Sequence, residues 1–157
     1  MRPEPARFLS PLRVEHIEGG RKRLLAPLKF YSADLRGVLV APAHFDTDYA
    51  SVPRPFWMLF PKDGPWTRAA VMHDAGYKAM LRTEDGQRVK LIKPLSDRLF
   101  LEAMRAVGVN ALARRLMYRA VVLFGGRPYG GLSDPVPTPP TAVLVTTQLP
   151  SNGSVNA

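Results

Sequence analysis

The sequence contains no cysteine. Disulfides, zinc–thiolate centres and a thiol nucleophile are thereby excluded, and an oxidising compartment would find nothing to cross-link. No run approaches the roughly 18 apolar residues that a bilayer span requires, so no transmembrane helix is expected. The opening Met1-Arg2-Pro3-Glu4-Pro5 has no apolar stretch of signal-peptide length. A soluble protein without a signal peptide is the expectation. Internal repeats, a glycine-rich phosphate loop, a Ser-His-Asp set and a His-Glu-x-x-His helix are all missing. His16 and His44 stand at no ligand spacing. Acidic residues are scarce beside basic ones, 13 against 22, giving a net charge of +9. That excess fits a polyanionic partner or, equally, a well-solvated surface. Arg114, Arg115 and Arg119 belong to the outer face of one helix. With no aromatic stacking platform among them, nucleic acid is not the expected partner.

What is present fits one domain. A chain of 157 residues, 46% of them hydrophobic, can bury a substantial core. Residues 1–11 carry three prolines and read as an arm. Residues 12–127 read as a single α+β domain. Leu12–Ile17 alternates apolar and polar as a half-buried strand does. Leu24–Tyr31 reads as a second strand, with Pro27 marking an edge or bulge, and Val38–Val40 as a third. Short connections make these a small antiparallel sheet or hairpin meander. Phe56–Phe60 reads as a short helical turn. Three helices follow. The first carries Trp66, Ala69, Ala70, His73, Gly76, Tyr77, Met80 and Leu81 on one face. A polar stretch, Arg82–Lys93, turns at Asp85-Gly86 as a small hairpin. Ser96 is the expected N-cap of the second helix, whose inward residues are Phe100, Ala103, Met104 and Val107. Asn110 opens the third, with Leu112, Ala113, Leu116, Met117, Ala120 and Val121 inward and Gly125-Gly126 as its stop. Residues 128–157 are proline-rich, with Asp134 their one charged side chain. Such a segment cannot bury enough to fold alone and is expected as an extended or disordered tail.

The chemistry-bearing residues sit on the first two helices. His73 lies in the middle of an apolar stripe, and Tyr77 follows one turn later on the same face. Asp97, three residues before Phe100, faces the core side of its own helix. Packing these faces together brings His73 near Asp97 and Tyr77. A histidine beside a carboxylate is held in one tautomer and strengthened as a base, able to take a proton from water. Asp74, about 100° round the helix, can hold a hard cation such as calcium (Ca2+) in the adjoining cleft, which would stabilise an oxyanion. The same residues also suit a satisfied polar pair that fixes how two helices pack. Thr47, Asp48 and Ser51 form a second cluster, with Asp48 either a further metal oxygen or a turn residue. Both alternatives stay open on spacing alone.

Three separated motifs occur in order: Thr47-Asp48-x-Ala50-Ser51-Val52-Pro53, Ala69-Ala70-Val71-Met72-His73-Asp74-x-x-Tyr77, and Ser96-Asp97-x-x-Phe100-x-x-x-Met104. With Met117-Tyr118-Arg119-Ala120-Val121 and Phe124-Gly125, the sequence over residues 12–127 resembles a family of short tailed-phage proteins catalogued as domain of unknown function thirteen fifty-three. The resemblance implies a phage or prophage origin and no established activity. More distantly, Ala-x-x-His-Asp-x-x-Tyr with a later Asp is similar to secreted phospholipase A-two and to the lipase domain of parvovirus capsids. That likeness implies His73 as general base, Asp97 as its orienting partner, Asp74 as calcium ligand and Tyr77 as support. The calcium loop of those enzymes is glycine-rich, whereas here only Gly64, beside Pro65, precedes the helix.

Two functions are expected from these readings. One is a virion- or tail-associated phage protein that hydrolyses an ester or amide of the host envelope. The other is a purely structural virion protein, without catalysis, that docks on other phage proteins through its arms, chiefly residues 128–157. Either would be found in the phage particle or in the cytoplasm of the infected bacterium.

Overall fold

Apolar–polar alternation makes strands in the N-terminal third, and proline and glycine decide where several of them end. A computed structural model describes residues 4–47, 64–125 and 145–146. Its strands are β1 (Arg7–Phe8), β2 (Val14–Ile17), β3 (Arg21–Leu24), β4 (Leu28–Ser32), β5 (Gly37–Ala41) and β6 (Asp46–Thr47). They build two antiparallel sheets, ordered β1-β4-β5 and β2-β3-β6. The segment expected as a leading arm thus contributes an edge strand, with Arg7 opposite Tyr31 and Phe8 opposite Phe30.

The expected strand Leu24–Tyr31 is two strands in different sheets. Pro27 has no N–H to offer a ladder, and its ring restricts Ala26. The chain turns there, and Leu24 N–H bonds to Phe45 O instead, at 3.0 Å. Gly19 and Gly20, with φ of 77° and 69°, make the β2–β3 connection in a conformation that side chains disfavour. In the β4–β5 ladder Leu28 faces Ala41 and Phe30 faces Leu39. All four are buried and form the sheet side of the core.

Against this face lie α1 (Thr67–Tyr77) and α2 (Lys93–Ala106), and α3 (Ala111–Phe124) packs on α2. Every residue from Ala69 to Tyr77 is buried, so α1 is enclosed on all sides beyond its first two residues. Its exit is stitched to the sheet, because Val40 and Arg82 exchange backbone hydrogen bonds of 2.8 and 2.9 Å. The expected small hairpin follows: Arg82 bridges Arg88, and Gly86 has φ 85°. Next come β7 (Val89–Lys90) and its partner β8 (Val145–Thr146), so the C-terminal region returns to the domain for two residues. The architecture is α+β, as the sequence pattern indicates.

Two local expectations are corrected. Ser96 is not an N-cap. Helix α2 starts at Lys93, with Pro94 in its first turn, where proline's missing N–H costs nothing. On α3, Leu112 is 70% and Leu116 36% exposed. Its buried arc is Ala113, Met117, Ala120 and Val121, and each leucine stands a step of about 100° outside it. Asn110 does cap α3, its side chain accepting from Ala113 N–H at 2.9 Å.

Helices α1 and α2 meet closely at Gly76. A Cβ there would lie 2.9 Å from Ser96 Oγ and 3.4 Å from Ser96 Cβ. Ser96 is fully buried, and its hydroxyl has no hydrogen-bond partner among the described residues. Gly76→Ala is therefore expected to cost about 1–3 kcal/mol by overpacking. Ser96→Gly should recover most of that loss in a double-mutant cycle of urea unfolding, and additive losses would refute the contact.

Candidate functional site

The apolar stripe of α1 forces His73 inward, and α2 supplies its partner. The imidazole is 0% exposed. Its Nε2 lies 2.9 Å from Asp97 Oδ1, and the Tyr77 hydroxyl donates to that same oxygen at 2.5 Å. Asp97 Oδ2 accepts from Lys93 Nζ at 2.7 Å. One buried carboxylate thus gathers an imidazole, a phenol and an ammonium. The His73 ring also rests on aromatic neighbours, 4.0 Å from the Tyr77 ring centroid and 5.0 Å from that of Phe100.

Burial opposes ionisation of Asp97, and hydrogen bonds donated by His73, Lys93 and Tyr77 outweigh it. The carboxyl is held below its ordinary range. An ionised Asp97 accepts from Nε2–H, so the carboxylate selects the form of the ring that carries a proton on Nε2. This is the tautomer of a base oriented from behind by a carboxylate.

Asp74 turns away from this trio, toward β6. Its Oδ2 accepts from the Thr47 hydroxyl at 2.5 Å. A carboxylate and a hydroxyl are hard oxygen donors of the kind calcium prefers. Asp48 and Ser51, the other members of the expected oxygen cluster, lie outside the described residues, as does the Phe56–Phe60 turn. Among the described residues no group of three His, Cys, Asp or Glu side chains converges as a metal site.

The expected catalytic residues His73, Asp97 and Tyr77 therefore meet at one carboxylate, while Asp74 occupies the neighbouring face of α1. Lys93 joins this set without a signal in the sequence motifs. It belongs to α2 rather than to the polar loop, and its position four residues before Asp97 is the spacing of a helical ion pair. Its ammonium also reaches the Val121 and Val122 carbonyls, both at 3.2 Å, closing the C-terminal end of α3 over the site. Gly125 completes the closure. It has an ordinary φ of −72°, so its role is space: a Cβ would fall 2.6 Å from the Tyr77 hydroxyl oxygen.

Among known proteins, a family model described as "Protein of unknown function (DUF1353)" matches residues 22–121, more than half of the chain. That span runs from β3 into α3 and contains His73, Tyr77, Lys93 and Asp97. No curated protein and no solved structure matches.

Proposed function

Because the chain belongs to the DUF1353 family, whose members it resembles in its three ordered motifs, we propose that it is a phage-encoded hydrolase acting on an ester or amide of the host envelope. The observation that carries this reading is the shared Asp97 oxygen, which orients His73 and Tyr77 together. In the proposed reaction His73 takes a proton from water as the oxygen attacks the substrate carbonyl carbon. The tetrahedral intermediate then collapses, and the same proton passes from His73 to the departing alkoxide or amine. Asp97 stays ionised throughout and stabilises the imidazolium. Asp74, the expected metal ligand, would hold calcium on the neighbouring face of α1, and such a cation would supply positive charge to an oxyanion.

The experiment compares wild type with His73→Ala on phospholipid vesicles and on peptidoglycan, with Ca2+ and with a chelator. Wild-type turnover is expected to fall at least about 100-fold in the variant, the usual loss on removing a general base. No turnover of either substrate by wild type rejects the hydrolase.

A second reading is favoured by the complete burial of His73. In it the network is a packing device, and the protein is a structural virion component that docks on neighbouring phage proteins through residues 128–157. Purified particles that contain the chain, lose it on deletion of those residues and show no His73-dependent hydrolysis would support this alternative. On both readings the protein resides in the particle or in the infected cell.

A further inference from the structure

The outward side of α3 has a composition that its role in the core does not explain. Leu112, Leu116, Arg119 and Leu123 follow one another at helical spacing along a single stripe. Leu112 and Leu123 are 70% and 73% exposed. At the C-terminal end of the helix Phe124 is 59% exposed and extends the apolar surface. Arg115 lies exposed beside the stripe. Helix α3 carries three arginines and no acidic residue.

We infer that this face of α3 docks on an anionic phospholipid surface. Leucine and phenylalanine side chains gain by leaving water for the acyl boundary. The flanking guanidiniums can keep their heads at the phosphate level while their stems lie along the apolar surface. Charge complementarity selects this occupant. A second copy of the chain would set Arg115 and Arg119 against the same arginines with no carboxylate on the helix to answer them. A nucleic-acid backbone would answer the charge but would leave the leucines against phosphate and water. The inference goes beyond the hydrolase reading and does not depend on it, because docking is measurable without turnover.

The test is co-sedimentation of the full chain with vesicles of diether phosphatidylglycerol and phosphatidylcholine, against phosphatidylcholine alone. The ether linkages keep hydrolysis out of the readout. Binding is expected to the anionic vesicles, weakening with salt. It should weaken at least about tenfold in Leu112→Ser/Leu123→Ser and in Arg115→Glu/Arg119→Glu. All four positions face solvent, so melting temperatures should hold. Where a pair does lower the melting temperature, the single changes Leu123→Ser and Arg119→Gln are read in its place. Absent binding to anionic vesicles, or binding that these changes leave intact, overturns the inference. So does light scattering that reveals a dimer dispersed by the same substitutions.

Discussion

Asp97→Ala is expected to destabilise the protein by about 3–5 kcal/mol, the cost of removing one partner from a buried charged network. The carboxylate is almost fully enclosed and accepts from His73, Tyr77 and Lys93. Its loss leaves an imidazole and a phenol without their acceptor in the interior. Lys93 keeps the Val121 and Val122 carbonyls and is partly exposed, so it contributes the smaller share. The dependence on pH has a definite sign. Asp97 is more acidic in the folded protein than in an ordinary carboxylate environment. Its contribution is therefore fully present above the unfolded value of about 3.9 and is lost as pH falls through the lowered folded value. Asp97→Asn should flatten that part of the acid limb. Urea unfolding of wild type and both variants at a series of pH values measures this. An unchanged midpoint in Asp97→Ala at neutral pH would contradict the network.

Glu102→Ala is the second large effect, expected at about 3 kcal/mol. Glu102 is a buried acid on α2 whose carboxylate closes the turn between β4 and β5. Oε2 accepts from the Ser32 hydroxyl at 2.6 Å. Oε1 accepts from the backbone N–H of Ala33 and of Asp34, at 2.8 and 3.0 Å. Hydrogen bonds to a charged acceptor contribute about 1.5–3 kcal/mol each, and these three share one carboxylate, so their sum exceeds the expected loss. Glu102→Gln retains one carbonyl acceptor and should lose roughly half as much as Glu102→Ala. Chemical denaturation checks both, and equal loss in the two variants would mean that charge, rather than the count of acceptors, ties the turn to α2.

These two carboxylates differ in how far the sequence announced them. His73, Tyr77 and Asp97 were legible because helical periodicity places side chains on faces, and each lies at a fixed step from an apolar anchor. Glu102 carried no such signal: its partners are the hydroxyl and amides of a turn about 70 residues earlier in the chain, and backbone donors leave no mark on composition. Lys93 was hidden by a misplaced helix start, since Pro94 reads as a boundary and is instead a first-turn residue. Leu112 and Leu116 depart from their expected inward position for the converse reason. Their periodicity is real, and the arc that packs inward is chosen by the neighbouring elements, with alanines and a methionine fitting the space. Pro27 was recognised as an interruption, yet its effect, sending the two halves of an apparent strand to different sheets, depends on where Phe45 waits to pair.

The enclosure of α1 from Ala69 onward has a consequence for how this chain can vary. On most helices half the positions look at water and may drift. From Ala69 to Tyr77 every position is read by a neighbour: the sheets from one side, α2 from another, the end of α3 from beyond Tyr77. Random change has no idle direction there, so the nine-residue span acts as the molecule's template, while the outer side of α3 is free to be rewritten by whatever it meets.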